Sequence, residues 1–419
     1  MNPSPGCPVV RFDHHAPDFA DELWEIYDGL RAARVAYSET YGGFYVLSRY
    51  EDVYAAARDD ETFSSDREVV LPATGVGRLI PLNADPPDLQ RYRSALFPYF
   101  TQRAAEAMEP DIRRFTTTAI DAFISEGRCD LITDLAAPVP AMTTLELMGL
   151  APEDWAILAE PLHDLIAYPT NHPNHESARA GVWTIRERFA AEAAARAVEP
   201  RDDMVTHLLG LEGDGTLSRD EVVDLLMMVT IGGFDTTMAA IGSALLYLEG
   251  HPDERRRLAA DPSLLPAAVD EFLRFEAPVQ GFARTVTRDI RIGGCPIAVG
   301  ETVFLLWGSA NRDPEAFERP DEMLLDRQPN RHLTFGVGGH RCLGSHLARV
   351  EMRVVLSETL RRLGDFTVLH DEVRWPTSVG ILYGRAHIPA TFTPTATGQA
   401  LPERDTSGEH RGSSGGRAR

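Results

Sequence analysis

The chain of 419 residues contains no lysine; all 41 basic residues are arginine. That absence excludes chemistry that needs a lysine amine, including a pyridoxal phosphate Schiff base and the lysine-bearing phosphate loop of nucleotide hydrolases. No Gly-x-Gly-x-x-Gly follows a strand pattern, so the chain lacks a dinucleotide-binding unit of its own, and electrons for redox chemistry would have to come from another protein. Cysteine is scarce. Cys7, Cys129, Cys295 and Cys342 are scattered singly, which argues against a disulfide framework and for a reducing, cytoplasmic setting. The N-terminus has no basic segment followed by an apolar run, so neither a signal peptide nor a membrane anchor is expected. With 63 acidic residues the formal charge is −22, which disfavours nucleic acid or an anionic membrane as partner.

Helical patterns dominate what is present, with two strand-rich patches. Ala36–Ser38 and Phe44–Leu47 flank Gly42-Gly43 as a hairpin; Arg284–Val286, Ile290–Ile292, Pro296–Ala298 and Thr302–Leu306 form a second set. The stretch Val222–Leu248 reaches membrane-spanning length but carries Asp224 and Asp235, so a buried core helix is the better reading. Its ends are marked by a capping box at Ser218–Glu221 and by Gly250 with Pro252. Some 30 residues at about 1.5 Å each would span about 45 Å, the width of a domain. Just upstream, Glu212–Thr216 imitates part of a calcium loop, but no helix pattern leads into it and a turn before the capped helix accounts for it. His172-Pro173-Asn174-His175 reads as a surface loop, because the proline breaks helical spacing. Residues from 394 onward lose apolar content and read as a disordered tail.

The chemistry concentrates in Phe335-Gly336-Val337-Gly338-Gly339-His340-Arg341-Cys342-Leu343-Gly344, followed by a helical pattern. A glycine-rich loop that delivers a sulfur to the first turn of a helix aims N–H groups and a positive dipole end at it; both favour thiolate. Glycines allow a large flat group to approach the backbone. This is the layout of a haem iron with an axial thiolate. Zinc held by His340, Cys342 and His346 finds no further cysteine pair to complete a tetrahedral site. A Cys342 nucleophile with His340 as base has poor geometry two residues apart and no orienting third group.

A second constellation lies inside the long apolar helix, at Gly232-Gly233-Phe234-Asp235-Thr236-Thr237. Two glycines weaken the helix by about 1 kcal/mol each. A threonine hydroxyl can bond back to the preceding turn and open a bulge, giving a widened groove with an alcohol and a carboxylate. An aspartate in so apolar a helix needs a partner or a purpose. A third element, Glu271-Phe272-Leu273-Arg274, lies on a helix of about 266–277, with apolar neighbours that suggest partial burial of the pair.

The loop pattern Phe-Gly-x-Gly-x-His-x-Cys-x-Gly resembles the haem signature of the cytochrome P450 monooxygenases, and the other two segments resemble that family's oxygen-activation and Glu-x-x-Arg motifs, in the same order along nearly the whole chain. The resemblance implies a mainly α (α+β), helix-rich fold with a long central helix and small sheets, over residues 1–393. It implies haem b with Cys342 as axial iron ligand, contacts from Phe335 and Gly336, and propionates held by Arg93, Arg284 and His340. Leu89 departs from the family, which often has a histidine donor there. By the same resemblance Thr236 would hydrogen-bond dioxygen, Asp235 would gate proton delivery, and Arg327 would join Glu271 and Arg274 in a structural lock ahead of the cysteine loop.

The implied activity is insertion of one oxygen atom of dioxygen into a mid-sized lipophilic substrate, as hydroxylation or epoxidation, in natural-product biosynthesis or catabolism. The pocket would be lined by such residues as Val69, Val70, Leu71, Val76, Leu79, Ile80, Val229, Val279, Phe282, Val379 and Ile381, with Gln280, Thr377 and Ser378 as polar members. The implied partners are a ferredoxin-type donor with its reductase, docking on Arg91, Arg103, Arg341 and Arg349, with the enzyme itself a monomer. A peroxide-driven peroxygenase, an oxidative-coupling enzyme and a non-catalytic haem sensor or carrier remain as alternatives.

Overall fold

The computed structural model describes residues 6–395. The expected tail lies, from residue 396 on, outside the described residues. Helices form most of the molecule, and the apolar stretch singled out above runs through its centre. Val222, Leu225, Leu226, Ile241, Ala244, Leu245 and Leu248 are all fully buried. Arg219–Gly250 is long and apolar enough to cross a membrane by length and composition, yet most of it is packed inside the protein. The two aspartates within its apolar stretch each meet a basic side chain: Asp224 pairs with Arg186 at 3.0 Å and Asp235 lies 2.6 Å from His163.

The expected continuous rod is instead two helices, Arg219–Gly233 and Asp235–Gly250, interrupted at Phe234. The bonds that bracket the break, Phe234 N–H to Thr230 O and Met238 N–H to Phe234 O, are both stretched to 3.3 Å. The capping box is formed in both directions, Ser218 Oγ accepting from Glu221 N–H and Glu221 accepting from Ser218 N–H. The acidic turn before it is closed by Asp214 accepting from Thr216 N–H at 2.9 Å, and a helix, Met204–Gly213, does lead into it, contrary to expectation.

A six-stranded mixed sheet lies to one side, in the order Val9–Val10, Val35–Ser38, Phe44–Leu47, Thr302–Leu306, Gly281–Val286, Phe63–Ser64. The predicted hairpin pairs antiparallel, Val35 opposite Leu47, and Phe44–Leu47 then runs parallel to Thr302–Leu306. The large buried residues Tyr37, Tyr45, Phe44 and Phe304 fill its two faces. Arg128–Asp130, Thr367–Val368 and Pro389–Thr391 make a second small sheet. One cysteine expectation is overturned: Cys7 and Cys295 form a disulfide, tying the N-terminal segment to the Ile290–Ile292/Cys295–Ile297 hairpin. The argument for a reducing setting from four unpaired cysteines loses half its basis. Only Cys129, buried, and Cys342 are free.

Candidate active site

The helix Leu265–Glu276 carries Glu271 and Arg274 three residues apart on its buried face, and both are wholly inaccessible. Arg274 donates to the Glu271 carboxylate at 2.7 and 2.8 Å. Arg327 Nε lies 3.0 Å from both carboxylate oxygens. The same carboxylate accepts from Leu324 N–H and Asn330 Nδ2. The remaining donors of the two guanidinium groups go to backbone carbonyls of Asn311, Glu318, Arg319, Pro320 and Glu322. Every donor nitrogen of the two guanidinium groups and both oxygens of the Glu271 carboxylate are engaged, the condition under which a buried charge cluster holds structure instead of unravelling it. The chain from 318 to 330 is thereby pinned just ahead of the cysteine loop.

In that loop Gly338 has φ +79°, and a Cβ on it would meet the Ala57 carbonyl at 2.6 Å, so only glycine fits. Gly336 N–H bonds Leu333 O at 2.8 Å, Arg341 N–H bonds Gly338 O, and Cys342 N–H bonds Phe335 O at 2.8 Å. Ser345–Arg362 begins three residues beyond the sulfur. The free surface of Cys342 faces an internal cavity, with protein packed around it on all other sides. Burial pushes its thiol up; the Gly344 N–H and the charges of Arg93, Arg341 and Arg349 pull the other way without overcoming it. The backbone N–H and the arginines thus favour the thiolate, as the loop pattern implies, while burial opposes it. A cation bound at the sulfur would supply the rest.

Arg93, Arg284 and His340 line the same cavity. Arg284 is 3 % exposed, forms no ion pair among the described residues although Asp60 and Asp85 lie near enough to act on it, and spends one donor on its neighbour's carbonyl, Ala283 O. Burial lowers its pKa to about 10. Arg93, half-buried, gives one donor to Arg341 O at 2.8 Å, and burial lowers its pKa too. His340 is pushed down to about 3, first by burial and then by repulsion from Arg284 and Arg93, and its Nε2 is buried with no partner. Three donors converge on one cavity, and at Arg284 burial outweighs the pull of Asp60 and Asp85; they fit a group that brings two carboxylates, as haem does. Leu89 is not a donor here; it is buried and packs against Gly339.

The broken helix pair forms another wall. Thr236 Oγ1 donates to Gly232 O at 2.9 Å, so its lone pairs are left to accept from the cavity side. The two glycines divide the work. A Cβ on Gly233 would strike Thr144 Oγ1 at 2.3 Å, so this glycine permits close packing against the Pro138–Met148 helix; at Gly232 nothing comes nearer than 3.7 Å. Asp235, 2 % exposed, stands directly behind Thr236 and does not itself line the cavity.

Two polar side chains were not visible in the sequence. His163, on the helix Trp155–Ala167, faces Asp235. Glu351, on Ser345–Arg362, is 2 % exposed, lines the cavity, and has one carboxylate oxygen with no partner. Burial drives its pKa well up, against a hydrogen bond from Thr237. The remaining walls are apolar, with Leu96, Phe100, Val229, Val279 and Phe282 prominent. Of the expected lining, Val69 and Ile80 are core residues instead. Gln280 is bound to Tyr27 and to backbone carbonyls, and Ser378 to His15 and Ala167 O, so neither is free to orient a ligand. Among the described residues no cluster has the makings of a separate metal site; His172 stacks on Tyr168.

The expected docking arginines separate in the same way. Arg91 is bound by Glu221 and Asp88, and Arg349 by Asp270 at 2.7 Å, so both are already neutralised. Arg103 and Arg341 are exposed.

Residues 168–380 match the family model for cytochrome P450. The chain is 37 % identical over 346 residues to Cytochrome P450 130 of Mycobacterium tuberculosis, covering 79 % of this chain and 84 % of that one. It is 32 % identical over 380 residues to the steroid C26-monooxygenase of Mycolicibacterium smegmatis, covering 89 % and 93 %. The crystal structure of P450BioI in complex with an acyl carrier protein ligated to hexadec-9Z-enoic acid superposes with a TM-score of 0.82 at 29 % identity, covering 90 % of this chain and all of that one. Family model, sequence relatives and fold agree with what the cavity holds: the chain belongs to the cytochrome P450 family, and is a monooxygenase that binds haem b through a cysteine thiolate.

Proposed function

We propose that Cys342 is that thiolate, that Arg93, Arg284 and His340 hold the propionates, and that Phe335 and Gly336 form the wall against which the porphyrin lies. Asp235 and Thr236 deliver protons on the opposite side, and Glu271, Arg274 and Arg327 hold the loop without touching substrate. Residues 1–393 form one oxygenase domain on this reading. When bound, haem supplies the reductive activation of dioxygen and transfer of one oxygen atom to carbon. The protein's part is to hold a lipophilic molecule in a water-poor cavity and to bring protons to one side of it only. A single observation carries the reading: the Cys342 sulfur and the Thr236 hydroxyl open into the same, largely apolar cavity.

The substrate class is a mid-sized, mostly apolar skeleton, hydroxylated or epoxidised, in natural-product tailoring or catabolism. A steroid, after the C26-monooxygenase relative, and a fatty acyl chain, after the P450BioI complex, are the first to try. Electrons come from a ferredoxin-like acidic donor that docks near the exposed Arg103 and Arg341, and the enzyme works as a cytoplasmic monomer with no membrane or nucleic-acid partner. Peroxide-driven turnover would leave the Asp235–Thr236 pair without a task, so dioxygen is the favoured oxidant. The test is a ligand panel scored by conversion of the ferric haem from low to high spin, followed by turnover under labelled dioxygen. One labelled oxygen atom in the product is expected; label arriving only from labelled peroxide, with none from dioxygen, would contradict the reading. Turnover should fall as ionic strength rises, and a flat response would remove the charge-steered donor.

A further inference from the structure

We propose that His163 is the solvent-side member of a proton relay, His163 to Asp235 to Thr236, and so a positioning residue that also passes the proton. The inference rests on the oxygenase reading above and adds a residue to it. Nδ1 of His163 lies 2.6 Å from Oδ1 of Asp235, too far off the hydrogen-bonding direction for a well-formed bond but at full ion-pair contact. The two ends differ in access. Asp235 is sealed at 2 % of its side-chain surface, whereas His163 keeps 35 % of its own, although protein crowds the ring on most sides. With Nδ1 turned to the carboxylate, Nε2 has no protein partner among the described residues and is free to exchange with water.

An imidazole can therefore do here what arginine or lysine could not: lose a proton from one nitrogen and regain one at the other near neutral pH. The step conserves atoms and charge. In the protonated ring Nδ1–H passes its proton to Asp235 Oδ1, leaving the neutral Nε2–H form; the resulting carboxylic acid hands a proton on beside Thr236; exchange through water then moves the ring hydrogen from Nε2 to Nδ1, and a proton from water at Nε2 reloads the ring. Thr236 is suited to accept a hydrogen bond from the group that takes the proton in the cavity, since its own hydrogen is held by Gly232 O.

The charges around the ring keep it ready. Burial lowers its pKa, but Asp235 from the facing helix and Asp164 and Glu160 from its own more than offset this, and the net shift is upward. The neighbouring Pro138–Met148 helix carries one ionisable residue, Glu146. On the His175–Val198 helix, Arg179, Arg186 and Arg188 are engaged by Glu176, by Asp220 and Asp224, and by Asp154. The protonated ring thus persists to higher pH than in a free imidazole, and the relay should weaken as pH rises through its midpoint.

The test uses the haem-loaded protein in two arms. In the first, the histidine 15N resonances of the diamagnetic ferrous carbonyl form are titrated, with His163→Gln assigning the signal. Asp235→Asn should lower the His163 midpoint by about one pH unit; no movement would overturn the pairing. In the second, the fraction of reducing equivalents that reaches product is followed against pH. Wild type should lose coupling as pH rises, while His163→Gln should be several-fold less coupled, flat with pH, and show a larger solvent isotope effect. His163→Arg, which keeps the charge beside Asp235 but cannot relay, should not restore coupling. Wild-type coupling in His163→Arg would overturn the relay in favour of a simple charge, and faster turnover in His163→Gln would show that the histidine is a lock. Variants are compared only where the thiolate-type carbonyl spectrum shows an intact site. Absence of any oxygen insertion by wild type would remove the oxygenase reading and leave the first arm to report on the pair.

Discussion

On the Cys342 side of the cavity, position is fixed several times over: a fully bonded Glu271–Arg274–Arg327 cluster, a backbone bond from Cys342 N–H to Phe335 O, and a glycine that no other residue could replace against Ala57. On the Thr236 side the helix is broken, the bonds across the break are long, and the carboxylate has one ionic partner of its own. A metal ligand has to stay where it is, whereas a group that moves protons has to exchange partners. Chain that is over-determined serves the first, and a helix with a missing link serves the second.

That contrast can be broken most forcefully at the lock. Glu271→Ala leaves two guanidinium groups without a counter-charge, and should cost about 3–5 kcal/mol and abolish haem retention. It is checked by chemical denaturation and by the haem-to-protein ratio after purification. A wild-type ratio would show the loop to be held by other means.

The second effect separates the two states of the protein. Burial of Arg284 outweighs the pull of Asp60 and Asp85, and it forms no ion pair among the described residues, so Arg284→Leu should make the haem-free protein more stable. The same variant should hold haem about tenfold or more weakly, given the 1.5–3 kcal/mol of a charged hydrogen bond. Shifts of opposite sign, read by thermal melts with and without haem, sharpen the comparison; shifts of the same sign would remove Arg284 from the propionate site.

Much of the Cys342 side was legible in the chain because its signal is local. Ten consecutive residues define the loop, and Glu271 and Arg274 are set by helical spacing alone. Arg327 needed the family resemblance, since nothing in Leu325-Asp326-Arg327 points to a residue more than fifty positions earlier. The break at Phe234 was foreshadowed by Gly232-Gly233 and Thr236, although the expected bulge is a full interruption. His163 was not legible. Its one sign is that it follows the buried Ala159 by four residues, on the inner side of its helix, and its partner is chosen by how that helix packs. Gln280 and Ser378 misled because polarity near a pocket says nothing of whether the polar atoms are already used. The Cys7–Cys295 bridge joins segments 288 residues apart, with no local pattern to announce it.

Smaller effects test the broken helix. Gly233→Ala should cost about 1–3 kcal/mol through its collision with Thr144, whereas Gly232→Ala, whose Cβ would meet only Met228 at ordinary contact distance, should change stability by no more than about 1 kcal/mol. Equal costs would mean that the break itself, and not packing, demands both glycines. Smallest is a pH effect. Glu351 has its folded pKa raised, so its contribution favours the native state below the ordinary carboxyl value and is lost as pH rises. Glu351→Gln removes that loss, and its stability relative to wild type should improve between pH 5 and pH 8 by at least about 1 kcal/mol. A constant difference across that range would show the carboxyl to be ionised and solvated.

The central claim is that one sulfur, Cys342, ligates the haem iron as a thiolate. The carbon monoxide difference spectrum of the reduced protein measures that bond directly. A strongly red-shifted Soret band in wild type, lost in Cys342→Ser while haem remains bound, is the predicted result. An unshifted band in wild type, or a shifted band that survives the substitution, would contradict it.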